Sequence, residues 1–350
     1  MATNYSGKQW QAAIYRQDLG VIALGTSTTA ASDVDGTNIL LELDTVNPIN
    51  YSGMIQQNSV VKSGRRALHA EDITQNYGFG ECTWDFEYLV KHDASLQLLL
   101  SLVVGKGLSA ASAMTINAAA IVGEDLSHGY AGADDGVACV LLLAPTAPNA
   151  LIAHDHRMHS AVLQNLTLAM DMGTDYGRLR ASGQFMSGYK PKVEDFGTSP
   201  DAGTGPAAAG ASNFEHSLMD FTTISLGGHD VVCKAFTMTI NNPATRVGMN
   251  TASTSGETDG YVRGGEFSIE GSMTVKLDAS AMTYLSDWQA GTPAVISLTD
   301  ASTFVISIPA ATLMGWNNDM AEEGVFIEIP WKATLGVDGA SNLAVLTMTN

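Results

Sequence analysis

The chain has 350 residues, of which 45% are hydrophobic and only 15% charged, with a formal net charge of −19. That length suits two domains or one large β domain, and a charged fraction below the ordinary value of about 25% suits a surface largely covered by neighbours. The acidity argues against a conventional nucleic-acid binder, which needs a basic surface to displace counterions from phosphates, but not against a protein that DNA passes without sticking.

In chain order, "MATNYSGKQWQ" lacks a basic region followed by an apolar one, so no signal peptide is expected. "SDVDGTN" at 32–38 is similar to a calcium loop but lacks the third ligand position before its glycine. Gly78-Phe79-Gly80 begins like a dinucleotide loop, yet Thr83 stands where a third glycine is needed. From Gly80, "GECTWDFEYLVK" alternates. Trp84, Phe86, Tyr88 and Val90 point one way, and Asp85, Glu87, Leu89 and Lys91 the other, as in a strand buried on one face. "DASLQLLLSLVVGKG" then places Leu96, Leu99, Leu100 and Val103 on one helical stripe. Asp93 is its candidate N-cap and Gly105 its stop. "VVGKG" lacks the Ser or Thr and the earlier glycine of a P-loop.

"AHDHRMHS" holds His154, His156 and His159 with Asp155, but no CxxC or second His/Cys cluster accompanies it. The histidines therefore read as structural, and neither a metal nor a cofactor is expected. Cys82, Cys139 and Cys233 are odd in number and widely spaced, which reads as reduced, buried thiols. The longest apolar runs, "LQLLLSLVV" and "VACVLLLAP", are far too short to span a bilayer, so no membrane association is expected. No nucleophile–base–orienter set is visible, so no catalytic residues are assigned.

The hexamer "VKHDAS" at 90–95 returns as "VKLDAS" at 275–280. Upstream of the second, "GEFSIEGSMTVK" alternates with the same parity, so Trp84 falls on Ile269, Tyr88 on Met273 and Asp85 on Glu270. A slip of one residue would have inverted the faces. Downstream, Ala281, Tyr284, Leu285 and Trp288 repeat the helical stripe, with Asp278 as candidate N-cap and Gly291 as stop. More loosely, Asn47-Pro48 aligns with Asn242-Pro243, and the unit around Gly177 aligns with that around Gly324. Residues 195–213, rich in Gly, Ala, Ser and Pro, read as a linker. The expected organisation is mainly β: two tandem β-sandwich or partial-barrel domains, each with one flanking α-helix, at 1–195 and 214–350, with 196–213 between them.

"NYSGKQWQAAIYRQ", "FTMTINNPATRVGM" and "GGEFSIEGSMTVKLDASAMTYLSDWQAGTPAVISL" resemble the tail tube proteins, or major tail proteins, of long-tailed phages. The resemblance is strongest over about 217–335. It implies domains that form six-part rings, closed by inner strands and stacked into a tube in the virion tail, assembled in the host cytoplasm. Two such domains in one chain imply a trimer that makes a pseudo-hexameric ring. The implied partners are other copies of the chain, the tape-measure protein, tail-end proteins, and DNA in transit only. Asp85, Glu87, Glu270 and Ser272 become candidates for the channel lining. The family's inter-ring loops would fall at 49–78 and 244–262, the first carrying Lys62, Arg65 and Arg66. The other class open to these residues is a two-domain β-sandwich binding or adhesion module, with an enzyme of unrecognised type third.

Overall fold

The computed structural model describes residues 10–17, 23–25, 34–41, 43, 46–52, 55–59, 67, 73–77, 80–91, 93–105, 111–121, 125–127, 129, 136–143, 155–194, 215–250, 257–278, 281–300, 304–321, 324–335 and 342–348. In chain order the strands are β1 (Gln11–Gln17), β2 (Val34–Leu41), β3 (Ile55–Ser59), β4 (Ile73–Tyr77), β5 (Cys82–Leu89), β6 (Ala113–Ile116), β7 (Asp125–Ser127), β8 (Val137–Leu143), β9 (Asp155–Asp171), β10 (Arg180–Ser187) and β11 (Lys192–Glu194). They continue as β12 (Thr223–Leu226), β13 (His229–Asp230), β14 (Cys233–Asn241), β15 (Thr245–Arg246), β16 (Gly260–Val262), β17 (Ser268–Lys276), β18 (Ala294–Asp300), β19 (Phe304–Leu313), β20 (Asn317–Ala321), β21 (Gly324–Ala333) and β22 (Ala344–Met348). Helix α1 (Asp93–Val104) follows β5, and α2 (Ala281–Ala290) follows β17.

The protein is thus mainly β, and its ladders are antiparallel. Seventeen strands join one hydrogen-bonded system, whose middle runs β5–β10–β9–β14–β17–β21. One face of this run is core. Trp84, Phe185, Leu168, Phe236, Met273 and Trp331, one from each strand, are all buried. Each such side chain contributes roughly 1.5–3 kcal/mol by leaving water, which fixes the register of every strand. The ladder β9–β14 makes the sheet continuous across the linker, and β6 pairs with β22 from the far end of the chain.

The ladders recur. β5 pairs with β10 from Leu89↔Arg180 to Asp85↔Gln184. Shifted by 185 residues (Asp85 to Glu270) and by 148 (Gln184 to Lys332), this is the ladder of β17 with β21, Thr274↔Glu328 to Glu270↔Lys332. Val140↔Met158 of β8–β9 returns as Leu298↔Ile306 of β18–β19. Ile14↔Val140 of β1–β8 returns as Ile224↔Leu298 of β12–β18. Lys192↔Arg157 of β11–β9 returns as Thr347↔Val305 of β22–β19.

These registers amend two of the looser alignments. The 148-residue shift sets Gly177 against Val325, one residue beyond Gly324. Asn50 bridges Thr83 where Asn241 bridges Ser268, so the two Asn-Pro pairs do not occupy equivalent places. Equivalence follows hydrogen-bond register, and connections of different length let identical letters drift out of it.

One repeated position is filled in opposite senses. Phe86 lies opposite Gly183, and their counterparts are Gly271 opposite Trp331. The large ring takes the space of the missing side chain in both, with the strands exchanged. A Cβ at Gly271 would stand 1.9 Å from the Thr237 carbonyl oxygen and 2.8 Å from the Trp331 ring. Gly271→Ala is therefore expected to destabilise the subunit by about 2 kcal/mol through overpacking. A lowered urea midpoint with unchanged slope checks this, and an unchanged midpoint contradicts it.

The expected stripe of α1 is buried at all four positions, Leu96, Leu99, Leu100 and Val103. Gly105 closes the helix at φ +93°, donating its N–H to Ser101 O at 2.9 Å. Arg16 from β1 reaches Ser101 Oγ at 2.5 Å. The stripe of α2 is different: Tyr284 is buried, Leu285 is half-buried and Trp288 is 37% exposed. α1 is covered by β9 and β2, and chain from beyond the linker, Asn242 and Arg263, caps the carbonyls of its last turn. Asp93 is the first residue of α1, with its carboxylate accepting the Ala94 N–H at 2.8 Å. Asp278 stands just ahead of α2.

Candidate functional site

The side of the six-strand run opposite the core is polar. Period-two alternation sends Asp85 and Glu87 of β5, and Glu270 and Ser272 of β17, to this same side. All four expected lining residues are therefore brought onto one surface. They are tied into it by neighbours: Gln184 Nε2 donates to Asp85 Oδ1 at 2.7 Å, and Arg180 Nη1 to Glu87 Oε1 at 3.1 Å. Arg180 also pairs with Asp175. Asn241 Nδ2 donates to Glu270 Oε1 at 3.3 Å, and the Ser272 and Thr237 hydroxyls meet at 3.1 Å. Between them, the Thr167 and Thr239 hydroxyls meet at 2.9 Å across β9 and β14.

Arg180, Gln184, Thr167, Thr239 and Asn241 escaped the sequence reading. The alternation of β9, β10 and β14 was the signal that could have found them. Among the described residues this side carries the carboxylates Asp85, Glu87, Asp171, Glu270 and Glu328 and the cations Arg180, Lys276 and Lys332, and Lys234 of β14 reaches the Phe326 ring beside Lys276. At its rim Lys332 holds the Glu266 carboxyl below the ordinary range through a hydrogen bond at 2.5 Å.

The histidine cluster resolves into packing positions. His156 Nδ1 meets Tyr51 OH, and Trp10 stands edge-on to its ring at 5.5 Å. His159 is buried beside Tyr189. Burial, followed by the charges of Lys192 and Arg157, lowers His159 to about 4. The unfolded chain then binds the extra proton between about pH 6.5 and 4, so stability is expected to fall as pH drops through that window. The loss reaches roughly 3 kcal/mol at pH 4. Denaturation of wild type and His159→Phe at pH 7.5 and 4.5 checks this; equal losses in both would exclude His159 as the cause. His154 lies outside the described residues.

Burial pushes the Cys82 and Cys233 thiols up to about 12, which leaves them protonated and poorly nucleophilic. A cavity of about 270 Å³ walled by Trp10, Val46, Pro48 and Leu142 is apolar. Lys62, Arg65 and Arg66 lie outside the described residues, between β3 and β4.

A broad polar sheet surface, its polar side chains spread along strands and backed by a continuous core, places the chain among mainly β proteins built on one large antiparallel sheet. A family model described as phage tail tube protein matches residues 21–333, and the chain belongs to that family. It is accordingly a non-enzymatic structural component of the virion tail, where it self-assembles into the tail tube. No curated protein matches the chain.

Proposed function

We propose that the chain carries two tube domains, at about 1–195 and 214–350 with 196–213 linking them, and that three chains close one pseudo-hexameric ring. The observation that carries this reading is the recurrence of the ladders: strands before and after the linker pair in the same registers, element by element. Two equivalent units per chain make six places from three chains. Head-to-tail contacts that close by rotation give a ring, and the axial contacts that remain open stack rings into a tube.

The polar surface with Asp85, Glu87, Glu270 and Ser272 then lines the channel. A net acidic wall of short polar side chains repels phosphate, so DNA slides through without adhering. The channel holds the tape-measure protein before DNA passes, and tail-end proteins close the tube. Asp93 and Asp278 act as helix N-caps. Negative-stain microscopy of the purified protein, with mass measurement of single rings, tests the reading. Stacked rings of three chains each are expected, and six chains per ring or a permanent monomer would overturn it.

Lys62, Arg65 and Arg66 form the densest basic cluster in an acidic chain, and in this reading they pair with carboxylates of the next ring. Arg65→Glu with Arg66→Glu is expected to slow polymerisation several-fold at low salt. The difference should shrink at high salt as screening removes it. Polymerisation at the wild-type rate in low salt would remove the pairing.

A further inference from the structure

Inside the chain, β9 gives its outer edge to β14 over seven pairs, from Asp171↔Ala235 to Asn165↔Asn241. The seam is close: Leu166 and Leu168 on one side and Met238 and Ile240 on the other are fully buried. Each of its two edges has a counterpart elsewhere on the molecule that carries no partner strand among the described residues.

The counterpart of β9 is the run β19–β20. Ala311 and Asn317 sit opposite Ala333 and Glu328, as Leu163 and Ala169 sit opposite Phe185 and Arg180. Between them Met314 N donates to Pro330 O at 2.7 Å. Pro330 is the counterpart of Ser182, which faces Thr167, so Met314 takes the place of Thr167. Gly315 is then one extra residue, a bulge. β20 pairs only with β21 among the described residues, and Met314 is 61% exposed.

The counterpart of β14 is the run 46–50. Asn50 exchanges N–H···O bonds with Thr83 at 2.8 and 3.1 Å, in the position where Asn241 pairs with Ser268. That sets Ile49 in the place of Ile240 and exposed Pro48 in the place of Thr239. Ile49 is buried, as Ile240 is.

We propose that the 312–317 edge of one chain pairs antiparallel with the 46–50 edge of a second copy, in the register of the seam inside the chain. Met314 then lies opposite Pro48 and Leu313 opposite Ile49. The occupant is another copy because these two edges, without a partner strand among the described residues, are counterparts of two edges already joined within the chain. Bringing one onto the other repeats that contact head-to-tail, which closes by rotation. The bulge at Gly315 and the proline at 48 blunt both edges against unmatched strands, which leaves the matched register as the favoured pairing.

This inference rests on the ring reading above, and its test separates the two. Thr167 and Thr239, the counterparts of Met314 and Pro48, touch at 2.9 Å, within the reach of a disulfide. The double variant Pro48→Cys/Met314→Cys, assembled and oxidised, is expected to run as covalent multiples up to a trimer on a non-reducing gel. Each single variant should run as a monomer. Hydrogen exchange on unmodified tubes supplies the second readout and decides the matter if the double variant does not assemble. Amides in 46–50 and 312–317 are expected to exchange at least tenfold more slowly in tubes than in free subunits. Tubes that neither cross-link nor protect these segments would overturn the seam and leave the ring standing. A wild-type chain that forms no rings would overturn both.

Discussion

Replacing Arg263 by methionine is expected to lower the unfolding free energy of the subunit by about 3 kcal/mol. Arg263 is 5% exposed. Its Nη1 donates to the carbonyls of Asn242 at 2.8 Å, Leu163 at 3.1 Å and Val103 at 3.2 Å, and its Nη2 to Leu102 at 3.2 Å. Leu102 and Val103 belong to the last turn of α1, whose carbonyls have no partner within the helix. A cation there also meets the negative end of the helix dipole. Asn242 adds Nδ2 contacts to Val103 O at 2.9 Å and Val104 O at 3.1 Å.

Two effects oppose each other in the substitution. Methionine relieves the cost of holding a guanidinium out of water, but it strands carbonyls from three separate segments. The second effect wins because methionine offers no donor and the cavity is shaped for a planar fork. Arg263→Lys should recover only part of the loss, since one ammonium cannot span both helix and strand carbonyls. Asn242→Ala should cost less than Arg263→Met, and the double variant less than the sum, because both residues serve Val103 O. Urea unfolding of the four proteins measures this. Additive losses, or an Arg263→Met protein as stable as wild type, would show that the cap carries no shared load.

Much of this architecture is legible in the sequence. The parity of β5 and β17, the buried stripe of α1 and the glycine stops follow from short-range periodicity, which side-chain burial imposes directly. The polar surface is legible to the same degree, since alternation fixes faces without knowledge of neighbours. The order of strands is not. β9 meets β14 and β6 meets β22 because of where the chain returns, and no local pattern encodes that. For the same reason the partners of Asp85 and Glu87, which come from β10, were missed. Arg263 had no readable role, because its acceptors are carbonyls and any residue supplies those. The two helices share one pattern, yet α1 is buried and Trp288 of α2 is exposed; the difference lies in what covers them.

In the proposed tube, where this polar surface lines the channel, reversing its charge is expected to stop DNA passage without stopping assembly. Asp85, Glu87 and Glu270 are exposed in the subunit, and their links to Gln184, Arg180 and Asn241 are surface contacts worth at most about 1 kcal/mol each. Asp85→Lys, Glu87→Lys and Glu270→Lys together should therefore fold and polymerise. The polar surface would gain six units of positive charge per chain. In the proposed ring of three chains the gain is +18, repeated at every ring along the tube. Each wall cation that meets a phosphate releases a condensed counterion, so the attraction grows with the number of contacts and falls steeply with salt. Virions carrying the triple variant should show tails of normal length by negative stain, and DNA ejection slowed at least tenfold at low ionic strength. Raising the salt should restore part of the rate. The triple variant Asp85→Asn, Glu87→Gln and Glu270→Gln, which removes charge without reversing it, should fall between the two. Ejection at the wild-type rate from normal tails of the lysine variant would place this surface away from the DNA path, and failure to form tails would show that the carboxylates hold the ring together.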